Sequence, residues 1–200
     1  MLLVIETAFD ALSVALLDDS RIAAEHHAIV GRGHAETLMT AVAAVVGTNG
    51  ASITGVLVDI GPGSFTGLRV GIAAARALAL AWEVPIAGIG SLTLIAAAAF
   101  AADPALDRVA AVADAGRGQV YWQIVERRGG AVGVAIATPP ARAMLPAEIA
   151  VTGAGAALID GHPRLLAAPP RAADARHVPT AWRGLPPLPV YLRPPDAVAA

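Results

Sequence analysis

The stretch Gly61-Pro62-Gly63-Ser64-Phe65-Thr66-Gly67-Leu68-Arg69-Val70-Gly71 follows the apolar run Val56-Leu57-Val58 and precedes an alanine-rich segment. A strand that ends in glycines and opens a helix aims unpaired backbone N–H groups from a positive helix end, which suits phosphate or carboxylate binding. Ser64 or Thr66 could equally cap that helix. Gly63-Ser64-Phe65-Thr66-Gly67 loosely matches the spacing of a nucleophile elbow, but the next histidine in the chain is His162, in a proline-flanked loop. Spacing therefore disfavours a serine nucleophile and leaves anion binding, capping and the close approach of another protein open.

Two carboxylates occupy matching places. Glu6 ends the apolar run Leu2 to Ile5, and Asp114 ends Val109 to Ala113; each is followed by small residues and a second apolar run. The expectation for both is that they accept backbone N–H bonds in their own turns. His26 and His27 are adjacent on a strand and point to opposite sides, so they cannot chelate one ion together. His34 and Glu36 open a helix, where an imidazole acts as a cap or interface group. Arg69 lies on the helix after the glycine turn and could pair with a carboxylate of its own chain or of a partner. Arg117 sits in the turn after Asp114.

Composition limits the chemistry further. The chain has 200 residues, 56% of them hydrophobic, enough for one sizeable core or two small ones. Its net charge of -2 exerts no general pull on nucleic acid or anionic membrane. The absence of cysteine removes disulfides, thiol nucleophiles and thiolate metal sites. All 14 basic residues are arginine, which removes a P-loop lysine, a Schiff base and a lysine base. MLLVIE begins at once as a strand with no charged n-region before it, so a cytoplasmic location is expected. The uncharged stretch Val84 to Ala102 mimics a membrane span, but Pro85, Gly88, Gly90, Ser91 and Thr93 divide it into a short strand and a helix.

These residues need elements to position them. Strands are predicted over Leu2 to Glu6, Ser13 to Leu17, Arg21 to Ala28, Gly55 to Ile60 and Pro85 to Ile89, with helices over His34 to Val46, Phe65 to Trp82 and Ser91 to Ala102. After Asp103 the plan returns: Val109 to Asp114, a small-residue turn, then Gln119 to Val125. Val151-Thr152-Gly153-Ala154-Gly155-Ala156 echoes Val58 to Ser64 as a strand entering a glycine turn and a helix. The pattern is a duplication of two α/β halves, residues 1–102 and a smaller, degenerate 103–200. Twelve of the fifteen prolines fall after residue 138 and Arg171 to Pro189 has little periodicity, so much of that region is read as loop, short strand or irregular cover, closed by a strand at Tyr191-Leu192 and a frayed tail from Pro194.

On the glycine-turn helix, Gly67, Gly71, Ala75 and Ala79 recur every four residues. Such a seam of small side chains lets another backbone approach, and the expectation is that the protomer leaves it bare for a foreign helix. GPGSFTGLRVG, HAETL at 34–38, DAGRGQVYW at 114–122 and PVYLR at 189–193 together resemble the TsaB (YeaZ) family, over nearly the whole chain. That family serves the machinery that makes threonylcarbamoyladenosine beside the anticodon of tRNAs reading codons that begin with A.

The resemblance implies an actin/Hsp70/sugar-kinase-like α/β fold of two ribonuclease H-like halves, the second reduced. It implies a noncatalytic partner of the catalytic subunit TsaD, assembled also with the ATPase TsaE, meeting tRNA only through the complex and able to homodimerise when alone. Docking would use His34, Glu36, Leu38, Met39 and Val42 of the first helix and Ser64, Phe65, Thr66, Gly67, Leu68, Arg69, Gly71 and Ala75 of the second. The catalytic relatives hold a metal with a His-x-x-x-His pair; here Leu38 stands four residues after His34, so no metal is expected. Superfamily ATPases place an aspartate where this chain has Glu6, beside Thr7. A vestigial nucleotide site would thus comprise Glu6, Thr7, Asp114 and Arg117, with ATP or ADP completed at the partner interface rather than owned by this chain. The rival expectation is a stand-alone ATPase or metallopeptidase, against which Glu6 and Leu38 both count.

Overall fold

The computed structural model describes residues 1–165 and 168–193. β1 (Leu2–Glu6), β2 (Ala11–Asp18) and β3 (Arg21–Ile29) form an antiparallel meander. β4 (Gly55–Asp59) and β5 (Ile86–Ile89) continue in parallel from the other side of β1, giving the order β3-β2-β1-β4-β5. Strand alternation fixes the facing: Leu3, Ile5, Val56 and Val58 turn to one side of this sheet, Val4 and Leu57 to the other. α1 (His34–Val46) and α2 (Phe65–Ala81) cover the first side, and α3 (Ser91–Ala102) the second.

β6 (Arg108–Gly116), β7 (Gln119–Glu126), β8 (Gly130–Thr138) and β9 (Ala150–Thr152) form the second sheet in the order β8-β7-β6-β9. Its meander is again antiparallel and β9 runs parallel to β6, so it repeats the first sheet without a fifth strand. Two such meander-plus-parallel halves make the actin/Hsp70/sugar-kinase-like α/β architecture. α3 lies between the sheets, with Leu94 and Ala97 in the core of the first and Leu92, Ile95, Ala96 and Phe100 in that of the second. A helix buried on both sides must be apolar all round, which is why Val84 to Ala102 mimics a span. Among the described residues, no helix is long and apolar enough to cross a membrane.

The second half departs from expectation. Gly153-Ala154-Gly155 leads into a single 3-10 turn, Ala156–Leu158, and not into an α-helix. The link from β8 to β9 carries only the 3-10 turn Pro140–Arg142, so among the described residues neither α1 nor α2 has an α-helical counterpart. β8 itself was not anticipated: left-handed glycines at its start and at Gly133 interrupt any alternation. Tyr191-Leu192 forms no strand. Instead residues 171–191 return to the first half. The 3-10 helix Ala172–His177 packs beside α3, with the Ala172 N–H donating to Ser13 Oγ at 2.9 Å, and Leu185 bridges to Gly88 of β5. The tail from Pro194 lies outside the described residues.

Candidate functional site at the glycine turn and outer helix face

α2 begins where the sequence places its cap. Ser64 is extended and its Oγ accepts the Gly67 N–H at 3.3 Å, so this exposed hydroxyl is a helix cap, a role contributing about 1 kcal/mol. The turn before it is held from below: Gly61 adopts φ 103°, its N–H donates to Asp59 Oδ1 at 2.7 Å, and the Ser64 N–H donates to the Ala8 carbonyl at 2.7 Å.

The seam of small residues faces inward, contrary to expectation. Gly67, Gly71, Ala75 and Ala79 are all buried, and the turn after β1 presses against the two glycines. Thr7 Oγ1 donates to the Gly67 carbonyl at 2.8 Å, and a β-carbon at Gly67 or Gly71 would overlap Thr7 itself. The backbone that the glycines admit is the protein's own. The docking set is corrected accordingly: Gly67, Leu68, Gly71 and Ala75, with Leu38 and Val42 of α1, belong to the core of the first half. His34 is buried too, its Nε2 bonded to the Ala11 carbonyl at 3.1 Å.

What α1 and α2 turn outward is a different strip. Met39 is 51% exposed and Leu80 81%, accompanied by Ala35, Thr40, Ala43 and Ala44 on α1 and Thr66, Ala73, Ala77 and Ala81 on α2. Glu36 is the one acid there, and Arg69 and Arg76 edge the strip.

The arginines on that edge hold the C-terminal segment. Arg69 stacks over the Phe65 ring with its guanidinium carbon 3.7 Å from the centroid, and its Nε donates to the Tyr191 hydroxyl at 3.0 Å. Phe65 and Tyr191 lie 4.9 Å apart, centroid to centroid. Among the described residues, Arg69 thus pairs with an aromatic cluster. Arg76 Nη2 donates to the Pro187 carbonyl at 2.8 Å, and the Val190 N–H to the Ile60 carbonyl at 2.7 Å. Two residues beyond Tyr191, Arg193 Nη2 donates to the Ala115 carbonyl at 2.7 Å and Nη1 to Gln119 Oε1 at 3.3 Å. One strap therefore joins the glycine-turn helix to the turn of the second hairpin. Three of the four sequence blocks meet there; HAETL lies apart on α1.

Glu6 and Asp114 accept turn N–H groups as expected: Ala8 N–H to Glu6 Oε1 and Gly116 N–H to Asp114 Oδ1, each at 2.7 Å. The repeated bond is the duplication at atomic scale. Their surroundings differ, since Asp114 is exposed and Glu6 fully enclosed. A carboxylate that serves a phosphate must reach solvent, so Glu6 does not fit that role. Thr7 is spent on Gly67, and Arg117 stands in the β6–β7 turn at φ 56°. Asp59, which sequence reasoning missed, lies fully buried beside Glu6; its signal was an acid ending an otherwise apolar strand. Asp59 Oδ1 also accepts from Ser91 Oγ at 2.7 Å. Burial pushes Asp59 up to about 7 against the bonds from Gly61 and Ser91, and burial together with the Asp59 charge holds Glu6 well above the carboxylate range. Among the described residues, no group of three or more His, Cys, Asp or Glu side chains could hold a metal ion.

Comparison with known proteins accords with this architecture. The family model "TsaD: tRNA N6-adenosine threonylcarbamoyltransferase" matches residues 22–152. The chain is 39% identical over 129 residues to the tRNA threonylcarbamoyladenosine biosynthesis protein TsaB of Escherichia coli, covering 63% of this chain and 55% of that protein. It is 32% identical over 204 residues to an uncharacterized protein of Mycobacterium bovis, covering 98% of this chain and 92% of that one. The match thus spans little more than half the length of the Escherichia coli relative. The solved structure of YeaZ from Pseudomonas aeruginosa superposes with a TM-score of 0.82 at 29% identity, covering 96% of this chain and 99% of that one. By its sequence blocks, its duplicated sheets and these likenesses, the chain belongs to the TsaB (YeaZ) family.

Proposed function

We propose that this chain is a noncatalytic subunit in the synthesis of N6-threonylcarbamoyladenosine on tRNA, and that it docks onto a TsaD-type catalytic subunit. The observation that carries the reading is the outward strip of α1 and α2, where Met39, Ala43, Ala73, Ala77 and Leu80 form an almost uncharged surface that the protomer leaves uncovered. Alanines there let a partner helix approach at short interaxial distance, while Met39 and Leu80 supply anchors whose burial removes apolar area from water. Ser64, capped into the helix, and Glu6, enclosed in the core, are unsuited to chemistry of their own. A nucleotide, in this reading, is held at the partner interface and not by this chain, the ATPase TsaE joins the assembled pair, and tRNA is met through the complex. A second copy can occupy the same strip when the partner is absent.

Threonylcarbamoyl transfer to tRNA by TsaD, assayed with and without this chain, tests the role. Stimulation by the chain, with a complex visible in sedimentation at micromolar concentration, is the expected result. No complex and no stimulation, with or without tRNA and nucleotide, would overturn it.

A further inference from the structure

Glu6 and Asp59 stand at the carboxyl ends of adjacent parallel strands. Ile5 pairs with Val58, so the next residue of each strand is a neighbour of the other, and both side chains turn to the α3 side of the sheet. Neighbouring strands lie only about 4.8 Å apart. Each acid is fully buried, and each uses one oxygen: Glu6 Oε1 takes the Ala8 N–H, while Asp59 Oδ1 takes the Gly61 N–H and the Ser91 hydroxyl. The other two oxygens, Glu6 Oε2 and Asp59 Oδ2, are buried with no hydrogen-bond partner. Two orphaned carboxylate oxygens in one apolar site would leave two uncompensated like charges in the core.

Among the described residues, what faces them is almost wholly uncharged, with the Ala8 and Phe9 N–H groups favouring the charged form of Glu6. β2 places Ser13 opposite Glu6, and β5 places Ile89 opposite Asp59. α3 contributes Ser91, and the glycine turn contributes N–H groups. The 3-10 helix Ala172–His177 turns Ala172, Ala173 and Ala175 inward and keeps Asp174, Arg176 and His177 at its rim. Arg171 before it is paired with Glu25 at 2.8 Å. Among the described residues, the charge that bears on Glu6 is that of Asp59.

We infer that Glu6 and Asp59 hold a single proton between Oε2 and Oδ2, so that the pair carries one negative charge and acts as a proton-dependent latch beneath the glycine turn. While the proton is in place, the two acids anchor Ala8, Gly61 and the start of α3 at once. When it leaves to solvent, two charges repel across the strand ends and pull against those anchors, loosening the turn from which α2 starts. The upward displacement of both acids by burial agrees with this arrangement. The sign follows from proton linkage. Between the ordinary carboxylate range and neutrality, the unfolded chain has released a proton that the fold retains, so stability falls as pH rises through that window.

A carboxyl-carbon NMR titration of the full chain between about pH 4 and 9 tests the latch. The expected result is that the two resonances move together in two steps separated by more than about two pH units. In Glu6→Gln, whose amide can donate to Asp59, the Asp59 midpoint should drop by at least about tenfold in proton affinity. The unfolding constant of the parent should rise with pH by up to about tenfold per unit between about pH 5 and 7, and Glu6→Gln should flatten that slope. Independent ionisation of both acids below about pH 5, or an Asp59 midpoint unmoved by Glu6→Gln, would overturn the inference. Should Glu6→Gln fail to fold, the parent titration decides alone: coupled steps support the latch and independent steps refute it. None of these readouts involves a partner subunit, so they are separate from the docking proposal.

Discussion

The guanidinium of Arg69 stacks over the Phe65 ring and donates to the hydroxyl of Tyr191, across 122 residues of sequence. This contact fastens the C-terminal strap to the helix that carries the glycine turn. It explains why an arginine within GPGSFTGLR and a tyrosine within PVYLR belong to one structural unit.

Removing the tyrosine hydroxyl should loosen that fastening. Tyr191→Phe is expected to cost about 0.5–1.5 kcal/mol, since it deletes one hydrogen bond to a charged donor and leaves the ring stack in place. Combining it with Arg69→Ala should give less than the sum of the two single effects, because they share one interaction. Urea unfolding of the two single variants and the double variant measures this.

The inward seam makes a prediction opposite to that of an exposed docking seam. Gly71→Ala would drive a β-carbon into the Thr7 hydroxyl and should destabilise the fold by roughly 2–3 kcal/mol. An exposed seam would instead tolerate the extra methyl, or gain from it through helix propensity. The midpoint of denaturant unfolding separates the two outcomes.

The outward strip should behave in the reverse manner. Leu80→Glu replaces a side chain 81% exposed and should change stability by less than about 0.5 kcal/mol. Binding to a TsaD-type partner should weaken by at least about tenfold, because a charge would be buried without a counter-ion. Sedimentation with the partner, alongside thermal unfolding of the free variant, reads both quantities.

Ser91 reports on the carboxyl pair from the helix side. Its hydroxyl favours the charged form of Asp59, so Ser91→Ala should raise the Asp59 midpoint above about 7. The pH window over which stability declines should then extend further into the alkaline range, at a cost of about 1 kcal/mol for the lost bond. Thermal unfolding measured across pH would show an unchanged window if the hydroxyl did not matter.

Local structure was legible because it depends on local chemistry. α1 and α3 have the predicted bounds, His34–Val46 and Ser91–Ala102, because glycine and polar residues punctuate the apolar runs at their ends. The meanders β1–β2 and β6–β7 followed from apolar runs separated by small-residue turns. The strand expected at Tyr191-Leu192 does not form and β8 was not anticipated, because the conformation of both segments is set by what they pack against and no sequence period announces it.

The amino-acid sequence by itself determined the duplicated α/β plan, the capped start of the glycine-turn helix and the turn-binding role of Glu6 and Asp114, all of which rest on contacts a few residues apart. Only the tertiary structure decided which side of α2 is inside, since a row of glycines accommodates a foreign backbone and Thr7 equally well. It also brought Asp59 beside Glu6 and Tyr191 onto Arg69. Those pairings join residues distant in the chain, and they exist because strand register and burial place the groups together in a medium from which water is excluded.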